Sequence, residues 1–399
     1  MSDVSVSGSS GEIVTLPFAS GQNAFFAQSL ANLLSLSVKN GTLKPVTYAG
    51  APLPHLTPGT EEEVIIRAAG PLVVPAGATA IINVASSSVV FGGGAPDETV
   101  LSGAGNLTFF TNGGSGNIAT GDGNNRIVQT GIGPWNIATG AGNDQIFISA
   151  GANTVSAGTG TNAILLGGGN NLVASSGNDI IQAVEGNQTI AASGTSPVQV
   201  EGVHANITFI GGDGPSTVVG GQGSETVFAT AGGVFTGGTA GHNYIVGGAG
   251  PTTITGGGTG DNLFATGSAP TQILAGSGNE TLDGSLSSGS NTFRAGSGAD
   301  QVIGGFGNDT LSAGSGTSTL QGGTGQDVFQ FIAGNAAKSL IVDFSAADKV
   351  SLLGYGNNEI NFALAHEQIK GGATTVTLTD STQITFSNVT NLIKSNFSA

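Results

Sequence analysis

Apolar residues return at about every ninth position through the middle of the chain, from about residue 100 to residue 331. Each one is the centre of a short strand-like segment that follows a glycine-rich turn, as in GGFGNDTLS (304–312) and GGTGQDVFQ (322–330). The apolar residue is the eighth of each nonapeptide, and the series contains slips of one or two residues. Its members are Ile127, Ile137, Ile146, Val155, Ile164, Val173, Ile181, Ile190, Val218, Val227, Ile245, Ile254, Phe264, Ile273, Leu282, Phe293, Val302, Leu311, Leu320 and Phe329.

This period predicts a solenoid. One inward apolar residue per strand cannot form a core alone, but stacked coils build a continuous apolar column. Two nonapeptides would make one flattened coil with a strand on each side, and glycine would supply the positive φ of the tight turns. We therefore expect an all-β fold, a parallel β-roll or β-solenoid of degenerate nonapeptide repeats over residues 96–331, with a small N-terminal α/β cap and a C-terminal β cap.

The two ends leave the repeat. In residues 1–95, the segment AFFAQSLANLLSLSV (24–38) predicts an amphipathic helix with Phe25, Phe26, Leu30, Leu33 and Leu34 on one face. A loop containing His55 (APLPHLTPG, 51–59) and two strands follow. An open solenoid end exposes strand edges and core, which favours a cap. The alternative is an assembly module that docks onto the next molecule, and the residues leave both open.

In residues 332–399, apolar and polar residues alternate over 374–392, with Val376, Leu378, Ile384 and Phe386 as the apolar positions. Alternation of this kind predicts an antiparallel hairpin that closes the C-terminal end.

Composition narrows the function classes. The 70 glycines and 13 prolines among 399 residues would indicate low complexity if the glycines had no period. Nine basic and 25 acidic residues give a net charge of −16, which argues against a nucleic acid or an anionic membrane as partner and favours cations. There is no cysteine, and no apolar run is long enough for membrane insertion. The first basic residue is Lys39, so no conventional N-terminal signal is predicted.

No catalytic constellation stands out, and we expect no enzyme. His366 and Glu367 begin HEQIK, which lacks the second histidine of a zinc-protease helix. Polysaccharide-active β-helices use carboxylates clustered on one face, and Asp122, Asp213 and Asp261 are the candidates for such a cluster.

The repeats resemble the hemolysin-type calcium-binding nonapeptides of the repeats-in-toxin (RTX) family, whose unit is GGxGxD followed by x-apolar-x. GGFGND (304–309) and GGTGQD (322–327) match this unit in full. AGSGAD (295–300) and TGAGND (139–144) lack only the first glycine, and SSGND (175–179) keeps the last three residues. The resemblance implies a parallel β-roll with Ca²⁺ between successive turns on the same side.

Transferred residue by residue, the resemblance implies three candidate calcium sites. Asp309 and Asp327 are 18 residues apart and would share one inter-turn space with the carbonyls around Gly304, Phe306, Gly322 and Thr324. Glu280 and Asp300 would share the opposite column after a two-residue slip, and Asp144 and Asp179 would lie on one column with Asn162.

Most other repeats depart from the family pattern at the sixth position, which carries Asn, Thr or Ser. Neutral side chains offer Ca²⁺ far less charge. A few sites near the C-terminus are therefore expected, rather than calcium along the whole stack. The residues concerned are Asn125, Asn153, Asn162, Asn171, Ser216, Asn243, Thr252, Asn262, Thr271, Asn291 and Ser318.

The family's C-terminal module also carries an uncleaved signal for bacterial type I export, so the resemblance implies a secreted or cell-surface protein. We expect an extracellular structural or interaction protein, such as a surface-layer subunit, biofilm-matrix filament or adhesin, which self-associates and has cell-surface polysaccharide as a further candidate partner. The alternatives are a polysaccharide-binding or polysaccharide-modifying β-helix and an ice-binding solenoid, for which Thr120, Thr130 and Thr139 form a short threonine series.

Overall fold

The computed structural model describes residues 2–8, 11–19, 21–50 and 61–398. The predicted loop with His55 lies outside these residues. The chain divides into two units, Met1–Val200 and Glu201–Ala399, and each is described by itself.

The first unit consists of one antiparallel pair of strands, a series of parallel strands and one long helix. The helix, α1, spans Gln22–Lys39. The strands are β1 (Ser2–Ser7), β2 (Ile13–Phe18), β3 (Leu43–Tyr48), β4 (Glu61–Ile66), β5 (Gly70–Val73), β6 (Ala78–Asn83), β7 (Ser87–Phe91), β8 (Glu98–Ser102), β9 (Asn106–Phe110), β10 (Gly116–Thr120), β11 (Arg126–Gln129), β12 (Trp135–Ala138), β13 (Gln145–Ile148), β14 (Thr154–Ala157), β15 (Ala163–Leu166), β16 (Asn170–Ser175), β17 (Ile180–Ala183), β18 (Asn187–Ala192) and β19 (Val198–Gly202), which ends just beyond the unit.

From β4 onward, successive strands of the first unit alternate between two parallel sheets, as the nonapeptide period predicts, whereas β1 and β2 pair antiparallel with each other. In one sheet, Ile127, Ile146, Ile164 and Ile181 lie next to one another on β11, β13, β15 and β17. Their spacings of 19, 18 and 17 residues show that turns absorb the slips while the apolar column stays in register. The parallel pairing reaches back through β8, β6 and β4 to β3, so the coils begin inside the stretch assigned from sequence to the N-terminal module.

Helix α1 lies along the side of the stack. Its buried face carries Ala24, Ala27, Leu30, Ala31 and Leu34, which pack in one core cluster with the outward side chains of the strands. Near its start, Asn23 accepts a hydrogen bond from Ser156 Oγ (3.0 Å), and its last residue is close in sequence to β3. At about 1.5 Å per residue the helix is long enough to cross the strands from β14 back to β3.

The predicted helix is therefore confirmed, but its predicted apolar face is partly wrong. Phe25 and Leu33 are 76% and 63% exposed, because alanines rather than the largest apolar residues face the sheet. Small residues let the helix approach Ile65, Ile82, Leu101 and Ala119 on the outer face of the sheet.

The second unit consists of the later coils and the C-terminal closure. It contains β20 (Asn206–Ile210), β21 (Ser216–Val219), β22 (Glu225–Phe228), β23 (Gly233–Thr236), β24 (Tyr244–Val246), β25 (Thr252–Thr255), β26 (Asn262–Gly267), β27 (Thr271–Leu274), β28 (Thr281–Ser287), β29 (Thr292–Arg294), β30 (Ala299–Gly305), β31 (Thr310–Ser312), β32 (Thr317–Gly323), β33 (Val328–Ile332), β34 (Lys338–Ile341), β35 (Lys349–Leu353), α2 (Glu359–Ala365), β36 (Gln368–Lys370), β37 (Ala373–Thr377), β38 (Gln383–Phe386), a 3-10 turn (Lys394–Asn396) and β39 (Phe397–Ser398).

The predicted C-terminal hairpin is present. Strand β37 pairs antiparallel with β38, with Val376 opposite Ile384, and β38 adds to the parallel sheet through β34. Val376, Leu378, Ile384 and Phe386 are all buried. The fold is thus the expected all-β parallel solenoid with a closing β element at its C-terminal end.

The apolar series is confirmed at every predicted position except Phe264, where the prediction was wrong by one residue. Leu263 is fully buried in register with Ile245 and Leu282, whereas Phe264 faces outward. A shift of one residue in a strand exchanges its two faces. Consequently the sixth position of this repeat is Asp261 and not Asn262.

The ice-binding alternative loses support from the fold. Thr120 and Thr139 are fully buried, so they do not form an exposed threonine ladder with Thr130.

Among the described residues, no helix is long and apolar enough to cross a membrane.

Candidate calcium sites between the turns

The sixth residue of each nonapeptide is two residues before the buried apolar residue. Its side chain lies next to the glycine-rich turn. We call these the sixth-position residues. In the second unit they form two columns, one along each sheet. Column one contains Glu225, Asn243, Asp261, Glu280, Asp300 and Ser318; column two contains Ser216, Thr252, Thr271, Asn291, Asp309, Asp327 and Asp348.

A ladder of hydrogen bonds links the column-two carboxylates. The backbone N–H of Asn291 donates to Asp309 Oδ1 (2.6 Å), that of Asp309 to Asp327 Oδ1 (2.8 Å), and that of Asp327 to Asp348 Oδ1 (3.0 Å). Each side chain therefore reaches toward the preceding coil. The 18-residue spacing of Asp309 and Asp327 places them in neighbouring coils, as the resemblance implies.

The other carboxylate oxygen of Asp309 has no partner. Asp309 Oδ2 is buried and accepts no hydrogen bond within the described part of the chain. Burial raises the pKa of Asp309 and raises that of Asp327 to about 6, and the charges of Asp348, Asp309 and Asp343 also raise the Asp327 pKa. Asp309, Asp327 and Asp348 thus lie in consecutive coils, and one of their oxygens is unpaired. A bound cation would reduce the repulsion among these buried charges.

The first glycine of each turn lies directly over the carboxylate. A Cβ on Gly304 would lie 2.7 Å from Asp309 Oδ2, and one on Gly322 would lie even closer to Asp327 Oδ2. The two turns repeat one another, since the N–H of Phe306 donates to Ser287 O and the N–H of Thr324 donates to Gly305 O, both at 2.9 Å. Any side chain at these two positions would collide with the carboxylate, so glycine lets the turn backbone approach it closely.

Glu280 and Asp300 lie in neighbouring coils of column one, 20 residues apart. The N–H of Glu280 donates to Asp300 Oδ1 (3.0 Å), and Asp300 Oδ2 accepts from the N–H of Gly296 (2.8 Å). Glu280 Oε1 accepts from the N–H of Gly278 (2.7 Å), whereas its Oε2 is buried without a partner. Burial, followed by the interaction with Asp300, raises the pKa of Glu280 to about 7.

Column one contains two further acids that sequence reasoning missed as ligands. Glu225 is fully buried, its Oε1 has no partner among the described residues, and burial raises its pKa to about 7. Asp261 accepts hydrogen bonds from the backbone and side chain of Asn243 and from the N–H groups of Gly257 and Gly258. Glu225 precedes Val227 by two residues, so the repeat register alone could have found it. Asp261 was hidden by the slip at Phe264.

Asp144 and Asp179, in the first unit, do not lie in neighbouring coils, because Asn162 occupies the coil between them. Asn162 Oδ1 accepts from the N–H of Asp144 (2.9 Å), and its Nδ2 donates to Asp179 Oδ1 (2.7 Å). Ser175 Oγ donates to Asp179 Oδ2 (2.5 Å), so both Asp179 oxygens are paired. Asp144 Oδ2 alone is buried without a partner. This pair fits a shared cation less well than the other two.

Side chains alone do not complete a site. Across the described ranges, no three His, Cys, Asp or Glu side chains converge in a way that could hold a metal ion. Ca²⁺ takes six to eight oxygens, so turn carbonyls such as those near Gly304, Phe306, Gly322 and Thr324 would have to supply the rest. Within that limit, the unpaired oxygens of Asp309 and Glu280 fit Ca²⁺.

A comparison with protein-family models identifies the same repeats. The model of the RTX calcium-binding nonapeptide repeat matches residues 138–173, 208–233, 237–271, 274–311 and 286–320. A comparison with curated proteins finds no match. The matched segments contain Asp144, Glu225, Asp261, Glu280, Asp300 and Asp309, which are sixth-position acids. Within residues 138–320, the chain therefore carries RTX calcium-binding nonapeptide repeats.

Proposed function

We propose that the chain binds Ca²⁺ between the turns of its second unit, with Asp309 and Asp327 as the first site and Glu280 and Asp300 as the second. The RTX nonapeptide family binds calcium. The observation that carries the proposal is the buried, unpaired Oδ2 of Asp309, which lies against the glycine turn backbone at Gly304 and Gly322. Asp261 is the adjacent carboxylate of column one, and Glu225 lies beyond Asn243 in the same column.

The bound ion would supply positive charge between the turns, and the protein's residues would do the rest. The carboxylates orient toward the preceding coil through the backbone N–H ladder, while the glycines keep the turn backbone close to them. The neutral stretches of the stack use amides instead: Asn153 Nδ2 donates to Asn171 Oδ1 (2.9 Å), and Asn171 Nδ2 donates to Gln188 Oε1 (2.9 Å). Calcium is therefore proposed as a local stabiliser of the acidic coils.

The role proposed for this calcium-stabilised solenoid is that of a secreted structural or interaction protein, as a surface-layer subunit, a matrix filament or an adhesin. RTX repeat proteins are typically secreted by bacteria. Calcium-dependent folding of the acidic coils would keep the chain unfolded before export by a type I pathway and let it fold outside. The export route and the self-association are parts of this proposal.

The test is to compare purified protein in Ca²⁺ and in EDTA, by thermal melting and by electron microscopy. We expect EDTA to lower the melting temperature, since an ion that binds only the folded state stabilises it by mass action. We expect ordered fibres or sheets in Ca²⁺. Equal melting in both conditions would refute the calcium site, and dispersed monomers in both would refute the structural role.

A further inference from the structure

An exposed row of aromatic rings lies on the outer face of the second unit. Phe228, Tyr244 and Phe264, which we call the aromatic row, come from the consecutive strands β22, β24 and β26. The ring centroids of Phe228 and Tyr244 are 5.8 Å apart, and those of Tyr244 and Phe264 are 5.0 Å apart. The row therefore advances by one ring per coil.

Strand register explains how the row forms. Phe228 and Phe264 lie in one outward column on either side of Val246, and Tyr244 comes from the neighbouring column between Thr226 and Asn262. The Tyr244 ring leans between the two phenylalanines, with planes at 50° and 45° to theirs. Threonine and asparagine side chains thus flank the rings.

The core does not require these rings. Val227, Ile245 and Leu263 fill the inner positions of the same strands and are fully buried. By contrast, Phe228 is 45% exposed and Tyr244 is 39% exposed. Contiguous exposed apolar surface of this kind is typical of an interaction site.

Charge limits what can bind there. The sequence has no lysine or arginine between Arg126 and Arg294, and the protein carries a net charge of −16. Asp283 pairs with Phe264 in the next strand and adds an acid at the end of the row. An anionic ligand would therefore meet this acid and no lysine or arginine from these strands.

We propose that the aromatic row binds a neutral glycan chain lying along the stack. A pyranose presents an apolar C–H face that packs on an aromatic ring, and its edge carries hydroxyls for polar neighbours such as Thr226 and Asn262. A polymer of such units offers one apolar face per repeat, which matches a row with one ring per coil. The site lies outside the calcium column and goes beyond the proposed function.

The test uses the full-length protein in Ca²⁺, with retardation in native gels containing laminarin, hydroxyethyl cellulose, alginate or heparin, and calorimetry with laminarin and cellulose oligosaccharides. We expect retardation by a neutral glycan and none by alginate or heparin. Tyr244→Ala should weaken binding at least tenfold, whereas Tyr244→Phe should retain most of it. Phe91→Ala is the matched control, because Phe91 is an exposed aromatic stacked on Phe110 in the first unit.

Several results would overturn the proposal: no retardation by either neutral glycan, equal retardation by the anionic ones, or equal loss of binding in Tyr244→Ala and Phe91→Ala. A fourth is sedimentation showing that Tyr244→Ala converts an oligomer into monomers without affecting glycan binding, which would make a second copy the occupant. Melting curves of each variant establish that it is folded. If the protein binds the glycan but its melting temperature is the same in Ca²⁺ and in EDTA, only the calcium proposal is refuted.

Discussion

At the scale of single residues, the side chain at the sixth position determines whether the hydrogen bonds of a turn can be satisfied without a cation. Asn291, one coil before Asp309, donates its side-chain Nδ2 to Ser287 Oγ and Gly289 O at 3.0 Å each. Asp309 accepts one backbone hydrogen bond and retains a buried oxygen without a partner. An amide at this position can satisfy its own turn, whereas a carboxylate can only accept and is left with an unneutralised charge.

Asp309→Asn should therefore reduce the calcium response, with the Glu280/Asp300 site left in place. We expect the variant to melt below the wild type in Ca²⁺, and at or above it in EDTA, because the substitution also removes an unpaired buried charge. The measurement is the melting temperature of both proteins in both conditions. Asp213→Asn, at an exposed turn position, is the control and should keep the full difference. An unchanged calcium response in Asp309→Asn would contradict the assignment.

The limits of sequence reasoning are visible at the same scale. The repeat register predicted that Asp309 and Asp327 lie in neighbouring coils, because a regular period fixes which side chains stack. It failed at Asp261, because Phe264 was taken as the inward residue although Leu263 is nine residues after Ile254, and it overlooked Glu225. Which carboxylate oxygens remain unpaired depends on turn geometry, as the Ser175 hydroxyl at Asp179 demonstrates, and no spacing rule contains that information.

At the scale of elements, α1 is a lateral support for the first unit. The existence of the helix followed from its periodicity, but its orientation followed from packing against small outward residues such as Ala119. The edge strands β3 and β5 contain Pro45 and Pro71, and each pairs with one parallel partner among the described residues. Proline on an edge strand disfavours pairing with another chain, so end-to-end growth through these strands is not the expected mode of assembly.

Substitutions on the buried and the exposed face of α1 should have different effects on stability. Ala31 is fully buried between the helix and the sheet, so Ala31→Leu should overpack the contact and cost about 1–3 kcal/mol. Leu33→Ala removes an exposed side chain and should change stability by less than about 0.5 kcal/mol. Thermal and urea unfolding of both variants in Ca²⁺ measure this. Equal effects would mean that α1 does not pack as described.

A second element-scale feature is a buried carboxyl beside this helix. Glu63 lies on β4, two residues before Ile65, and so shares the outward face that packs with α1. It is fully buried, and neither of its oxygens has a hydrogen-bond partner in the described structure. Burial raises the pKa of Glu63 from 4.5 to about 7.

This carboxyl predicts the sign of a pH effect. The folded state holds the proton more tightly than the unfolded state, so the contribution of Glu63 to stability falls as the pH rises from about 4.5 through about 7. Glu63→Gln should therefore lose less stability than the wild type between pH 5 and pH 8, at constant Ca²⁺. Urea unfolding at both pH values measures this. Glu61→Gln, at an exposed position of the same strand, should behave as the wild type.

At the scale of the whole molecule, acidity and glycine content acquire specific meanings. The glycine content alone would indicate low complexity. Because the glycines follow a nine-residue period, they predict stacked coils, and the fold class was therefore predictable from sequence. The net charge of −16 is distributed unevenly, with runs of sixth-position acids separated by coils of Asn, Thr and Ser. Each bound Ca²⁺ would offset two negative charges, so a few ions in the acidic coils of the second unit would suffice to relieve the buried repulsion.

The most direct test of the central claim is a crystal structure of the calcium-loaded protein with an anomalous difference map. We predict a Ca²⁺ peak next to Asp309 and Asp327, with carboxylate and turn carbonyl oxygens at about 2.3–2.6 Å, and a second peak next to Glu280 and Asp300. A calcium-loaded crystal with no anomalous peak at either pair, and the same hydrogen-bond ladder in place, would contradict the account.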